Sequence, residues 1–326
     1  MTSEARIKHS ETINPQQNSL DVMGDMFDVL KLRGSIFFHS SLAAPWGMSL
    51  PAIKAPRFHI SMEGNFVVGS GEQVRDVSEM NIALLPQGGQ HWIADMEGRE
   101  LAESEAVIDA CKLHAPLFQH GEVTNRVICG MVEYEELLSH PMLEAMPEIL
   151  VAHDISHDEP LWQTVCLIDS EIRATGNLRS PIIDRLSEIL FILLAHRCMK
   201  RDPSPSGFVA ALRNPRLSQV LAHIHRDAAA PWTLSSLAAT ANMSAATLVR
   251  HFNTELGMSP IQYVTQWRLN KAFQLIQHSR LPLDLVADKV GFATGKSLSR
   301  AFIRQFGFPP GDLRKPKPEQ TGVKDV

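Results

Sequence analysis

Val286-Ala287-x3-Gly291-x2-Thr294-x3-Leu298-x-Arg300-x-Phe302-x4-Gly307-x2-Pro310 nearly repeats an earlier series, Leu237-Ala238-x3-Asn242-x-Ser244-x3-Leu248-x-Arg250-x-Phe252-x4-Gly257-x2-Pro260. From the leucines to the prolines the copies are displaced by 50 residues, whereas the alanines are displaced by 49, so the later copy has one more residue in its turn. Each copy reads as two short helices around a tight turn, where the small side chain of Ala238 or Ala287 lets the helices cross closely. Four residues on, the chain turns sharply. Gly291 does this at little steric cost, and Asn242 is among the few other residue types that tolerate the left-handed region. Ser244 is placed to cap the next helix, on which Leu248 and Phe252 at i, i+4 face inward and Arg250 faces out. The equivalent outer face of the later copy carries Lys296, Ser297, Arg300 and Arg304, with Leu298 and Phe302 behind it.

Between the copies, the spacing of Ile261, Val264, Leu269, Phe273 and Ile276 predicts one helix from Pro260 to His278, ended near Ser279 and Pro282. Such a helix is roughly 25–30 Å long, against the ~34 Å between successive major grooves on one face of DNA. Two recognition helices on one chain then reach adjacent grooves, and bending of the duplex narrows the mismatch.

Charge supports a phosphate-facing surface. The 326 residues carry a net −5, but residues 207–326 hold 15 Lys/Arg against 7 Asp/Glu, while residues 1–206 hold 16 against 29. The Pro/Ser/Gly-rich stretch Arg201-Asp-Pro-Ser-Pro-Ser-Gly207 divides them. A basic segment suits phosphate neutralisation, in which each contact releases a condensed counterion; taken alone, it fits a merely solubilising surface equally well.

These residues resemble the AraC/XylS family of transcription regulators over roughly 213–314. The resemblance is carried by Leu234-x2-Leu237-Ala238, Ser244-x3-Leu248-x-Arg250-x-Phe252, Gly257-x-Ser259-Pro260-x2-Tyr263, Arg268-x3-Ala272-x2-Leu275 and Gly291-Phe292-x-Thr294-x3-Leu298-Ser299-Arg300-Ala301-Phe302-x4-Gly307-x-Pro309-Pro310-x3-Arg314. It implies base-reading positions at Ala246, Val249 and Arg250 in the first recognition helix and at Lys296, Ser297 and Arg300 in the second. Arg304 joins them on the outer face. Arg or Lys reaching guanine O6/N7 is the commonest specific contact, whereas Ala246 and Val249 offer only apolar contact to thymine methyls, so the two half-sites are expected to be read unequally. The bland reading of each arginine is a phosphate contact or a surface pair. Departures from the family pattern are Asn242 for the common Gly, Gly295 where a polar side chain is usual, and Leu313 where Tyr commonly precedes the last Arg.

Ahead of this region, residues 34–96 alternate short β-like runs at 34–38, 58–62, 65–69 and 81–86 with Gly and Pro, which suggests a small barrel or sandwich. Pro86-x-Gly88-x2-His91 resembles the second motif of cupins, and Phe58-His59-x3-Glu63-Gly64 a reduced first motif. The resemblance implies a cupin-type sensor domain, with His59, Glu63 and His91 as candidate ligand-binding residues and candidate holders of a divalent metal, since imidazole and oxygen suit Zn, Fe or Mn. The usual His-x-His is absent, because Arg57 stands in its first position, and lining a polar pocket is the preferred role. Cys111-x2-His114, with His120 nearby, is a weaker metal or thiol signal. Residues 182–199 read as a helix apolar on two sides, through Ile183, Leu186, Leu190 and Leu193 and through Ile189, Ile192 and Leu194; dimerisation and packing within its own domain both fit that pattern.

The expected fold class is α+β, a cupin-like β-barrel with flanking helices followed by an all-α double helix-turn-helix domain. The expected domains are 1–200 (sensor and dimerisation), 201–212 (linker), 213–318 (DNA-binding) and 319–326 (tail). The expected function is a sequence-specific transcription regulator, an activator by the family's commoner outcome, controlled by a small-molecule or chemical signal. Double-stranded promoter DNA, RNA polymerase, an effector and a second copy of the chain are its expected partners. The alternatives are a metal-dependent cupin enzyme fused to a DNA-binding module, which three candidate ligands and no separate general base disfavour, and a constitutive DNA binder. No catalytic residue is expected. Four cysteines without a Cys-x-x-Cys pair, a polar Met1–Leu20 and no apolar run of ~20 residues point to a cytoplasmic protein with neither export signal nor membrane span.

Overall fold

The computed structural model describes residues 15–113, 117–135, 137–138, 146–201 and 207–314. Among these, residues 30–201 form one compact body, and residues 15–29 with 207–314 form the other. The expected boundaries differ from this division at both joins. Helix α1 (Pro15–Leu30) buries Val22, Met23, Met26 and Phe27, and Ser19 Oγ donates to the carbonyl of Leu212 (2.8 Å), so its turns up to Val29 belong with the carboxy-terminal body. Residues 207–212, expected as linker, lie in the helix Gly207–Arg213, and Phe208, Val209, Ala211 and Leu212 are buried. Residues 202–206 of that linker and the expected tail lie outside the described residues.

Among the described residues the amino-terminal body has nine strands in two antiparallel sheets. One sheet has the order β1 (Arg33–Ala43), β8 (Val123–Glu133), β3 (Arg57–Glu63), β6 (Ile82–Leu85) and β9 (Leu150–Ala152). The other has the order β2 (Gly47–Leu50), β7 (His91–Ala94), β4 (Phe66–Ser70) and β5 (Gln73–Val77). The four expected runs fall on β1, β3, β4 and β6. Alternate residues of both sheets meet in one core, with Leu42, Val127 and Ala83 from the first sheet and Met48, Phe66, Val68 and Ile93 from the second. Among the described residues the strands leave edges at β1, β9, β2 and β5 and do not close into the barrel expected.

Helices α2 (Ser104–Leu113), α3 (Pro160–Thr175) and α4 (Pro181–Arg201) complete this body. The last matches the expected helix and packs on β1 and α3. Its inner side is Ile183, Ser187, Leu190, Phe191 and Leu194, whereas Ile182 and Ile189 remain 55% and 46% exposed.

The carboxy-terminal body adds α5 (Gly207–Arg213), α6 (Pro215–Arg226), α7 (Leu234–Thr240), α8 (Ala245–Leu256), α9 (Pro260–His278), α10 (Leu283–Val290) and α11 (Gly295–Phe306), closed by a 3-10 turn at Pro310–Arg314. Five of these helices, α6, α7, α8, α9 and α11, start where a capping side chain dictates. Asn214, Thr233, Ser244, Ser259 and Thr294 each accept a hydrogen bond from the first turn they precede, and Thr233, Ser259 and Thr294 form reciprocal capping boxes with Ser236, Gln262 and Ser297. Asn242 takes φ 50° and Gly291 φ 87°, the left-handed turns expected between the helices of each copy.

Candidate nucleic-acid interface and the interior of the amino-terminal domain

Both recognition helices are anchored on α9 by equivalent phenylalanines. Phe252 of α8 meets Tyr263 edge-on at 6.1 Å between ring centres, and Phe302 of α11 stacks with Phe273 at 6.1 Å. Phe306 joins the second cluster, 4.5 Å from Phe302 and 5.2 Å from Phe273. The two anchors on α9 are ten residues apart, about 15 Å along the axis, with each recognition helix standing a further ~8–10 Å off it. The spacing of the two recognition helices is therefore set by where their anchors fall on α9, not by the length of α9 alone.

Tyr263 is in turn fixed by a buried network. Its hydroxyl is 2.7 Å from Nε2 of His225, whose ring stacks on Trp267 at 3.8 Å. Burial raises the Tyr263 pKa, so the phenol stays neutral. Arg268, one turn further along α9, donates to the carbonyls of Ala228 (2.7 Å) and Ala230 (2.6 Å) and so ties down the loop between α6 and α7. Family-type residues Tyr263 and Arg268 thus hold the scaffold rather than the DNA face.

On that face Ala246 and Arg250 are exposed and Val249 is half-buried. With Leu234, Ala245, Asn253 and Thr254 they line an open groove of about 490 Å³. Asn253 and Thr254 are exposed polar residues one turn beyond Val249 and Arg250, a signal present in the helical spacing that the sequence reading did not use. On α11, Lys296, Arg300 and Arg304 are exposed. Among the described residues none of these three, nor Arg250, enters an ion pair. Ser297 is differently placed: its Oγ accepts from the Thr294 N–H and donates to the Thr294 carbonyl, so the hydroxyl is committed to the helix cap.

Inside the amino-terminal body, His59 of β3 and His91 of β7 bridge the two sheets, with Nε2 to Nε2 at 2.8 Å. Nδ1 of His91 lies 2.8 Å from the carbonyl of Gly89 and must donate to it. The neutral His91 ring therefore accepts at Nε2, His59 donates from its own Nε2, and Nδ1 of His59 is left as an acceptor. Burial holds both imidazoles neutral, lowering His91 to about 4 and His59 well below its usual range. Glu63 does not join them. A bulge between Ser61 and Glu63 breaks the strand alternation, and Glu63 is an exposed carboxylate paired with Arg126 at 3.1 Å.

These residues do not fit a divalent metal. The two Nε2 atoms bond each other, the carboxylate faces out, and the position of the missing motif histidine holds the guanidinium of Arg57. In the weaker Cys111-x2-His114 signal, His114 and the Cys111 side chain lie outside the described residues, and His120 is exposed.

Two helix pairs on one linking helix, with capped recognition helices, outward cations and buried aromatic anchors, define a double helix-turn-helix DNA-binding protein carrying a second, sheet-rich domain. Residues 21–200 match the family described as "Cupin", and residues 237–316 match "Helix-turn-helix domain". A putative AraC-like transcription regulator of Streptomyces lividans is 33% identical over 302 residues, covering 91% of this chain and 98% of its own. The HTH-type transcriptional regulator AlkR of Acinetobacter baylyi is 28% identical over 309 residues, covering 91% and 99%. The RCS-specific HTH-type transcriptional activator RclR of Escherichia coli is 22% identical over 303 residues, covering 91% and 98%. The chain belongs to the AraC-like transcription regulators, with a cupin domain ahead of the helix-turn-helix domain. Among the described residues, no helix is long and apolar enough to cross a membrane.

Proposed function

We propose that this regulator binds promoter DNA sequence-specifically through α8 and α11 and activates transcription in response to a small molecule received by its cupin domain. The observation that carries this is the pair of recognition helices on one α9 scaffold, with Arg250 on one and Lys296, Arg300 and Arg304 on the other facing out without ion-pair partners among the described residues. Arg300 and Arg250 read guanine edges, Ala246 and Val249 meet thymine methyls, and Ser297 contributes through the cap it builds. An effector that binds one state of the amino-terminal domain shifts the population able to hold DNA. Activation through RNA polymerase is in keeping with the name of the Escherichia coli relative. Ile182 and Ile189 on α4 suit pairing with a second copy, and the protein works in the cytoplasm, where the DNA is.

The test is selection of genomic fragments by the purified full chain at ~0.15 M salt, where non-specific attraction is weak. The expected result is enrichment of a few intergenic sites containing two half-motifs about one helical turn apart. No enrichment, by the full chain and by 207–326 alike, overturns the reading. A metal-dependent enzyme is not favoured, because the two imidazoles that converge among the described residues bond each other.

A further inference from the structure

Among the described residues, the interior of the cupin domain contains a cation that no carboxylate pairs. Arg57 is 5% exposed and stands on the same face of β3 as His59. That face is the one turned to the inter-sheet core, because the cross-strand neighbours Leu85, Ala83 and Cys129 are all core residues. Arg57 Nη1 donates to the carbonyl of Pro51 (2.7 Å), and the guanidinium carbon lies 5.8 Å from the ring centre of Phe37. Its Nε is buried with no hydrogen-bond partner, and among the described residues no carboxylate pairs with it. Burial lowers its pKa to about 10, so it remains charged at neutral pH.

A buried cation is costly unless an anion meets it, and a buried unpaired acceptor is costly unless a donor meets it. Both occur here, two residues apart on one strand face. Nδ1 of His59 is buried without a partner, and the hydrogen-bond chain from Gly89 through His91 makes it an acceptor. With both histidines neutral, the cluster carries one positive charge, which a monoanion balances and a dianion does not.

We propose that this interior binds a small hydroxy acid, its carboxylate on Arg57 and its hydroxyl donating to Nδ1 of His59. The guanidinium supplies, as a fixed charge, what a metal ion supplies in a metal-holding cupin. This deepens the sensing role proposed above and rests on it. A carboxylate fits the planar donor edge of Arg, and the hydroxyl supplies the donor that a simple carboxylate lacks; dihydrogen phosphate also offers one negative charge and hydroxyl donors but no planar carboxylate, which makes phosphate the control for shape.

The experiment measures thermal unfolding of the full chain at constant ionic strength with paired acids: glycolate and acetate, lactate and propionate, 3-hydroxybutyrate and butyrate. Sodium chloride and phosphate are the controls. The expected result is saturable stabilisation by at least one hydroxy acid, at least tenfold tighter than by its partner without the hydroxyl, and a loss of at least tenfold in affinity in Arg57→Gln. Arg57→Lys keeps the charge and loses the planar fork; it is the second variant if the first has no cooperative transition, and is expected to bind at least tenfold more weakly. Stabilisation by none of the acids beyond chloride, equal binding of both members of every pair, equal stabilisation by phosphate, or unchanged affinity in the variants each overturns the proposal. The same preparations enter the DNA selection. A chain that enriches fragments but ignores hydroxy acids retires this inference alone, and one that binds hydroxy acids but enriches nothing retires the regulator reading.

Discussion

Gly295 donates its backbone N–H to Oδ1 of Asp284 across 2.7 Å, and a Cβ added at 295 would stand 2.7 Å from that same oxygen. The carboxylate of α10 thereby fixes the first turn of α11, which explains a glycine where the family pattern has a polar residue. Gly295→Ala is expected to lose about 1–2 kcal/mol of stability, since overpacking outweighs the better helix propensity of alanine. A double-mutant cycle with Asp284→Ala in chemical denaturation checks it. Additive losses would mean that the two residues are not coupled.

Arg300→Ala is expected to weaken binding to a selected site by ~1–3 kcal/mol, with less loss on random DNA. Titrations on both duplexes at one salt concentration decide. Equal losses assign Arg300 to phosphate.

At Asn242, φ is 50°. Asn242→Val is expected to cost roughly 1–2 kcal/mol, because a branched side chain resists the left-handed region, while Asn242→Gly stays near wild type. Unfolding midpoints of the two variants should separate accordingly, and similar midpoints would remove the backbone argument.

Tyr263→Phe removes the hydroxyl that lies 2.7 Å from Nε2 of His225 while keeping the ring against Phe252. Leaving a buried polar atom unmatched costs about 1–3 kcal/mol. Stability measured by urea unfolding should fall by that amount, and a neutral outcome would show that the network does not stiffen the first recognition helix.

The pH dependence of stability should carry the mark of the histidine bridge. His59 and His91 have pKa values depressed by burial, His91 to about 4. The unfolded chain, with histidines near 6.5, takes up protons first as pH falls, so this contribution is complete above about pH 6.5 and is lost below it, by up to ~1.4 kcal/mol per pH unit for each histidine. His91→Gln should flatten the fall between pH 6.5 and 5. An unchanged slope would place its cause elsewhere.

Much of the carboxy-terminal body was legible in the chain because helical capping and periodicity are local. Ser244 and Thr294 begin their helices, Gly257 and Gly307 end them, and the bounds of α9 fall where Pro260 and His278 indicated. The outward position of Arg250, Lys296 and Arg300 follows from the same 3.6-residue repeat. The strands at 34–38, 58–62, 65–69 and 81–86 were legible for a similar reason, since alternation is local too.

What the linear chain left open depends on partners distant in sequence. Spacing shows that His59 and Glu63 share a strand, but the bulge that turns Glu63 toward Arg126 is a property of pairing with β8. Ser297 looks like a base reader until its hydroxyl is seen in the cap, and Gly295 looks anomalous until Asp284 is found against it. The grouping of residues 15–29 with 207–314 joins segments nearly two hundred residues apart. Periodicity determines which side of an element is apolar, whereas only the folded chain decides what that side meets. For Arg57, packing between two sheets turned a missing motif histidine into a buried charge that no carboxylate among the described residues pairs.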